Sequence, residues 1–440
     1  MQTYFYSLAD YIGTQLKTGE TYLAWLAAEE SDFIRFNKSA VRQATSVKQI
    51  ALTLSLIANQ RRAEIKMMLS GNRESDQAQV KSALDTLRVD LAGLPEDPYL
   101  LYSTEVRSTE HIPSAALPDP ALVLDEVIAA GKGVDLVGLY AGGPLYRGFA
   151  NSFGQRNWHR ADNFNFEWCL YHAADKAVKS SYAGSNWDSA EYARKMSFAR
   201  QQLIRLGDKP MELKPGRYRS YFTPSAVNEV LGLLCWGGFG IKSQRTKQSC
   251  LQKMIEDGAL LNGSVSLAEN TRDGIACGFQ QDGFLKNERV GLIQGGKLSD
   301  ALISPRSAKE FALSTNGANS MESPESLDMA GGALHRDAAL KSLDTGLLIG
   351  NLWYLNFSDR SACRMTGMTR FATFWVEKGE IKAPLNVMRF DDSAYRMLGD
   401  NLEALTAECD LLPSSDSYGE RSTVSTRLPG ALVRDFSLTL

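Results

Sequence analysis

Histidine is scarce in this chain: four in 440 residues, at His111, His159, His172 and His335. None lies within five residues of another, so no two can share a helical turn and hold a metal between them. The six cysteines (Cys169, Cys235, Cys250, Cys277, Cys363 and Cys409) include no C-x-x-C pair. That excludes the common thiolate zinc sites and dithiol redox motifs and leaves free thiols of a reducing compartment. Charge of one sign is also missing. With 48 Lys+Arg against 51 Asp+Glu, a formal net charge of −3, the chain has no electrostatic footprint for nucleic acid or an anionic membrane. The longest uncharged apolar run, Val230–Ile241, is broken by glycines and falls well short of the roughly 20 residues a membrane span needs. Met1–Lys17 has no basic n-region and carries Asp10, unlike a signal peptide. The expectation is a cytoplasmic protein with neither nucleic acid nor membrane as partner.

What is present is regular patterning. Tyr4, Leu8, Tyr11, Ile12 and Leu16 recur at helical spacing. Short strands are expected at 21–27, 32–37, 41–47, 50–58 and 61–69; in the fourth, Ile50, Leu52, Leu54 and Leu56 alternate with smaller or polar residues. A helix over 75–92 follows, then a proline-rich connection over 95–120 and a helix over 122–130. Phe164, Phe166 and Trp168 alternate as one buried strand face. Asp188 with Glu191 reads as a capping box for a helix reaching about Leu206. Gly207–Gly216 is the best linker. Beyond it lie a strand over 217–222, helices over 225–236 and 244–257, and β-runs over 346–357, 370–376, 381–390 and 431–438. The polar stretch 314–328 reads as a mobile loop. The expected fold class is therefore α+β in two domains. Residues 1–209 form a mixed α/β domain with a small antiparallel-type sheet and helices; residues 210–440 form a β-rich domain with one motif-bearing helix.

That helix is the segment closest to known chemistry. Thr223 can cap it and Pro224 suits its first position. In a zinc hydrolase two histidines on such a helix hold the metal, and the glutamate between them is the general base. Here Glu229 stands between Asn228 and Leu233. An amide is a poor zinc ligand and leucine is none, so no catalytic and no metal-binding residue is assigned. Two other patterns invite a function. Gly291–Lys297 has the outline G-x-x-x-x-G-K, but Leu298 stands where a magnesium-binding hydroxyl belongs, and a β-turn at Gly295-Gly296 is the better reading. Arg364, Thr366 and Gly367, just before a strand, could present backbone amides to a peptide; a tight turn is the equal alternative.

Taken in order, these segments resemble the family of TldD and TldE (also called PmbA), bacterial peptidase subunits. The resemblance rests on Arg35–Gln43, Pro224–Leu234, Arg364–Gly367 followed by Phe374–Ile381, and Leu428–Val433. In the family's catalytic subunit the helix reads H-E-x-x-x-H, with a cysteine near the carboxyl end as third zinc ligand. Residues i and i+5 lie about 140° apart on an ideal α-helix, so both reach one metal only through a widened turn. This chain keeps Glu229 and Gly232 but departs at both ligand positions. Cys409 is the only cysteine in the tail, while Ser415, Ser417 and Tyr418 fall nearer the expected third place. The resemblance implies a TldE-like, catalytically silent subunit without cofactor, any zinc being supplied by a TldD-like catalytic partner. Peptides and unfolded segments would be the substrates of proteolysis. Two alternatives stay open: a stand-alone metallopeptidase with non-standard ligands, His159 or His172 brought to Glu229, and a homodimer that binds peptide or sugar without catalysis.

Overall fold

The computed structural model describes residues 1–113, 117–173 and 176–439. A seven-stranded sheet forms from β1 (Thr21–Asn37), β2 (Ala40–Ala58), β3 (Arg61–Leu69), β4 (Thr109–His111), β5 (Asp135–Asn151), β6 (Arg156–Ala173) and β7 (Lys176–Gly184), in the order β3-β2-β1-β5-β6-β4 with β7 also on β6. Every ladder is antiparallel except β4 on β6. Two-residue turns with positive φ, Lys38-Ser39 and Asn59-Gln60, close the first two hairpins with the twist such hairpins favour. The sheet is larger than the small one expected. The early strands do not break at Glu29–Ser31 or near Lys48, because these polar residues continue the ladder: Glu29 faces Gln49, and Glu30 faces Lys48 across a 2.7 Å ion pair.

Helices α1 (Gln2–Thr14), α2 (Arg73–Gly93), α3 (Pro120–Gly131) and α4 (Ser189–Leu206) cover one face of this sheet. Asn72 and Asp188 cap α2 and α4 through their side chains, each accepting two backbone N–H groups. Along β6 the even-numbered aromatics meet these helices: Trp158 packs beside Phe5, and Phe164, Phe166 and Trp168 pack beside Tyr192 and Met196.

The second sheet holds eleven strands: β8 (Gly216–Phe222), β9 (Leu267–Asn270), β10 (Arg289–Gln294), β11 (Lys297–Leu298), β12 (Ser326–Met329), β13 (Gly346–Asp359), β14 (Arg364–Glu377), β15 (Glu380–Pro384), β16 (Arg389–Ser393), β17 (Leu402–Pro413) and β18 (Ser425–Leu438). It is mixed, with β12 parallel to β18 and β8 parallel to β13. One face, with Leu347, Ile349, Ala431 and Val433, buries the apolar side of α5 (Pro224–Cys235); the other, with Leu348, Phe374 and Leu432, joins the cluster around α4. The fold is α+β, as expected.

Several local expectations are corrected. Residues 314–328 are no mobile loop. Asn316, Glu322 and Ser326 are buried, Asn316 Nδ2 donates to Ala301 O at 2.7 Å, and the segment ends in β12 between β9 and β18. Its polar side chains are consumed by buried backbone rather than by water. The helix expected over 244–257 is two short turns, Ile241–Arg245 and Gln252–Glu256, separated by Lys247 at positive φ. The run 381–390 divides into β15 and β16 after Pro384, which ends the first strand.

The free face of the first sheet meets the second half of the chain. Leu23, Ile57 and Phe149 form a small core with Cys277 and Phe279. Gly283 approaches Phe149 so closely that a Cβ would lie 2.8 Å from the ring, and its φ of +86° is itself a glycine conformation. Gln155 Nε2 donates to Gly283 O at 2.8 Å, holding that loop down.

A buried carboxyl stitches the middle of the second sheet. Glu269 is 5% exposed and accepts N–H bonds from Glu325 and Ser326, both 3.0 Å. Burial pushes it up to about 7, against the pull of Lys286. The folded state therefore holds this proton more tightly than the unfolded chain, and stability falls as pH rises from the ordinary carboxylate range through 7. Glu269→Gln should remove that decline, gaining up to about 3 kcal/mol over the parent at pH 8 relative to pH 5, read from urea midpoints at the two pH values.

Candidate functional site

A cavity of about 370 Å³ opens where the two sheets stand apart. Its floor is α5. Thr223 Oγ1 accepts from Ala226 N at 3.4 Å and donates to Gly350 O at 2.6 Å, which fixes the start of the helix against the second sheet. With Val227, Val230, Leu231 and Leu234 buried below, the opposite stripe of Ser225, Asn228, Glu229 and Gly232 faces the cavity, as helical spacing requires. One wall is the odd-numbered face of β6 with its neighbour β7: Asn165, Glu167, Lys179 and Ser181. The roof is the link between β17 and β18, including Ser414 and Ser415, with Thr426 at the start of β18.

The charges converge on Glu229. Enclosure by these walls raises its carboxyl, Lys179 across the cavity lowers it, and Glu167 adds a smaller upward push. Lys179 Nζ lies 3.5 Å from Glu167 Oε2, so one ammonium serves two carboxylates. The roof is held by Arg421, which is 6% exposed and donates to Gly143 O at 3.1 Å and to Asn163 O at 3.0 Å on the first sheet. Burial brings its guanidinium down to about 10, which leaves it charged at neutral pH.

The two degenerate positions diverge. Asn228 lines the cavity and its Oδ1 accepts from Thr426 Oγ1 at 2.8 Å; Leu233 is 8% exposed and packs in the core under the helix. On a regular helix this is the separation that five residues produce. Gly232, with nothing within 4 Å of a notional Cβ, simply leaves the floor open. Cys409 does not line the cavity; its thiol donates toward Met329 O at 3.8 Å. Ser415 does line it, Ser417 lines an adjoining space of about 150 Å³, and Tyr418 is fully exposed. Among the described residues no three His, Cys, Asp or Glu side chains are grouped to hold a metal. Asn228, already engaged, Leu233 in the core and Ser415 are not a zinc donor set, so the residues at these positions do not fit that ion.

The other candidates lie elsewhere. Arg364, Thr366 and Gly367 are in the body of β14, not in a turn. Arg364 pairs with Asp391, Thr366 Oγ1 donates to Phe390 O at 2.9 Å, and Gly367 lies against the Phe390 ring. None of the three lines the cavity. His159 is stacked on His111 at 4.9 Å with Nε2 3.0 Å from Ile275 O, and burial drives it down to about 4. His172 packs beside Gly207, and neither histidine lines the Glu229 cavity. Gly295 and Gly296, both at positive φ, form the tight turn between β10 and β11. Sequence reading missed Glu167, Lys179 and Thr426. The signal for the first was available: if Phe164, Phe166 and Trp168 face a core, Asn165 and Glu167 must face the other way.

A family model described as the PmbA/TldA metallopeptidase C-terminal domain matches residues 215–440. Among solved structures, TldE from Thermococcus kodakarensis matches with a TM-score of 0.77 at 13% identity, covering 99% of this chain and 100% of that one. A Thermotoga maritima protein described as a candidate modulator of DNA gyrase matches with a TM-score of 0.72 at 13% identity, covering 99% and 100%. A Bacteroides thetaiotaomicron protein described in the same way matches with a TM-score of 0.72 at 15% identity, covering 99% and 98%. No curated protein matches by sequence. At these identities the structural likeness is one of fold.

Two measurements probe the site. Lys179→Ala removes the cation that lowers the Glu229 carboxyl, so its NMR titration midpoint should move further up. Arg421→Met strands the acceptors it serves on the first sheet; it should cost about 3 kcal/mol and make the 413–425 roof the first site of limited proteolysis.

Proposed function

The chain belongs to the PmbA/TldD metallopeptidase family, and from that premise we propose that it is a TldE-like, catalytically silent subunit that pairs with a TldD-like zinc-bearing partner. The observation that carries this reading is the pair Asn228 and Leu233: the family's helix is in place under a cavity, but one ligand position is tied to Thr426 and the other is turned into the core. In this reading the chain contributes a wall and a cavity rather than a metal. The polar lining of Asn165, Lys179, Ser181 and Ser415, continuous with the smaller space beside Arg421, suits the amides of an extended peptide better than an apolar ligand. The substrates would then be peptides and unfolded segments, cut by the partner.

The test is metal analysis with a peptidase assay on the isolated chain and on the chain mixed with a TldD-like subunit. Substoichiometric zinc and no turnover alone, with turnover in the mixture, is the expected outcome. Stoichiometric zinc together with activity of the isolated chain would overturn it.

The raised Glu229 carboxyl favours a second reading, in which this glutamate is itself a general base in a stand-alone hydrolase. Glu229→Gln separates the two. The silent-subunit reading expects unchanged turnover of the mixture, whereas the stand-alone reading expects the variant to abolish turnover without unfolding the chain.

A further inference from the structure

A second cavity of about 370 Å³ adjoins the Glu229 cavity, and Lys179, Ser180, Ser181 and Ser225 line both. Its character is different. One side is apolar, with Val178, Phe198, Ala199, Tyr221 and Leu340. The other carries more cations than acids: Arg194, Lys195, Arg336 and Lys341 face Asp337 and Asp410. Asp410 is already taken, by Lys195 Nζ at 2.8 Å and by Arg336 at 2.5 Å. Glu191, just outside, holds Arg194 at 2.7 Å and reaches Arg336 at 3.4 Å. Asp337 is exposed at the rim, and Lys341 has no carboxylate partner among the described residues. An independent observation points the same way. Gln202 is 7% exposed, lines this cavity, and has no hydrogen-bond partner among the described residues. The amide is therefore able to bond a polar group placed in the cavity beside the cationic wall.

We propose that this second cavity binds a small carboxylate bearing an apolar substituent. The cationic wall and the Gln202 amide receive the anion, and the Phe198–Tyr221 side receives the apolar part. The ligand is either a free acid or the carboxyl terminus of a peptide ending in an apolar residue. This assignment does not rest on the silent-subunit reading.

Calorimetric titration of the full chain with N-acetyl-phenylalanine, its amide, and a tripeptide ending in phenylalanine as acid or amide tests it. Each acid that binds should do so at least about tenfold more tightly than its amide. A tighter peptide acid identifies a chain terminus as the source, a tighter N-acetyl acid a free metabolite-sized ligand. Lys341→Glu, at an exposed position, should weaken acid binding at least about tenfold with unchanged circular dichroism, and Gln202→Leu should weaken it as well. Equal binding of acid and amide, indifference to both Lys341→Glu and Gln202→Leu, or no binding of any probe would overturn the proposal.

Discussion

The two-residue alternation of β6 through Phe164–Trp168 governs this molecule, because that strand has to satisfy two environments at once. Its even positions, Trp158, Phe164, Phe166 and Trp168, are sealed under helices, where large rings give up the most water-exposed surface. Its odd positions His159, Asn163, Asn165 and Glu167 face the second half of the chain. A one-residue slip would exchange the two sets and put carboxylate and amide into the core, so the register is held by burial on one side alone. Everything at the site inherits that register. Asn163 is in place for Arg421, and Glu167 is in place for Lys179 on β7.

The contact between the two sheets changes character along its length. At one end Leu23, Ile57, Phe149 and Phe279 make a dry seam; at the other, polar residues stand back and leave a cavity floored by α5. Between them lie buried charged and polar groups. Arg421 is bonded mainly to backbone carbonyls and one asparagine, and His159 is held neutral by burial. Removing a guanidinium from water is tolerated because several acceptors surround it, which also makes the roof of the cavity part of the interface rather than a loose loop.

The α5 helix shows why a motif letter alone misleads. Glu229 looks like a surviving base, yet what surrounds it is a lysine, a second carboxylate, serines and amides. That setting raises the carboxyl and offers hydrogen bonds to a ligand; among the described residues it groups no three metal-ligating side chains. The neighbouring cavity shares one strand edge and the first turn of α5 with this one, through Lys179, Ser180, Ser181 and Ser225.

Much of the fold was legible from residue order because it depends on local periodicity. The capped helices at Asp188 and Thr223, the alternation through Ile50–Leu56 and Phe164–Trp168, and the Gly295-Gly296 turn are properties of short segments. The replacement of both ligands around Glu229 was equally a matter of sequence, since no packing can make leucine coordinate zinc. What sequence could not decide were pairings between distant segments. The strand nature of 326–329, the passage of β1 straight through Glu29–Ser31, the stacking of His111 on His159 and the meeting of Glu229 with Lys179 all join residues far apart in the chain. Only the tertiary structure brings those groups together, because a polar residue is equally at home in water or in a filled hydrogen-bonding site, and its own neighbours in sequence do not say which.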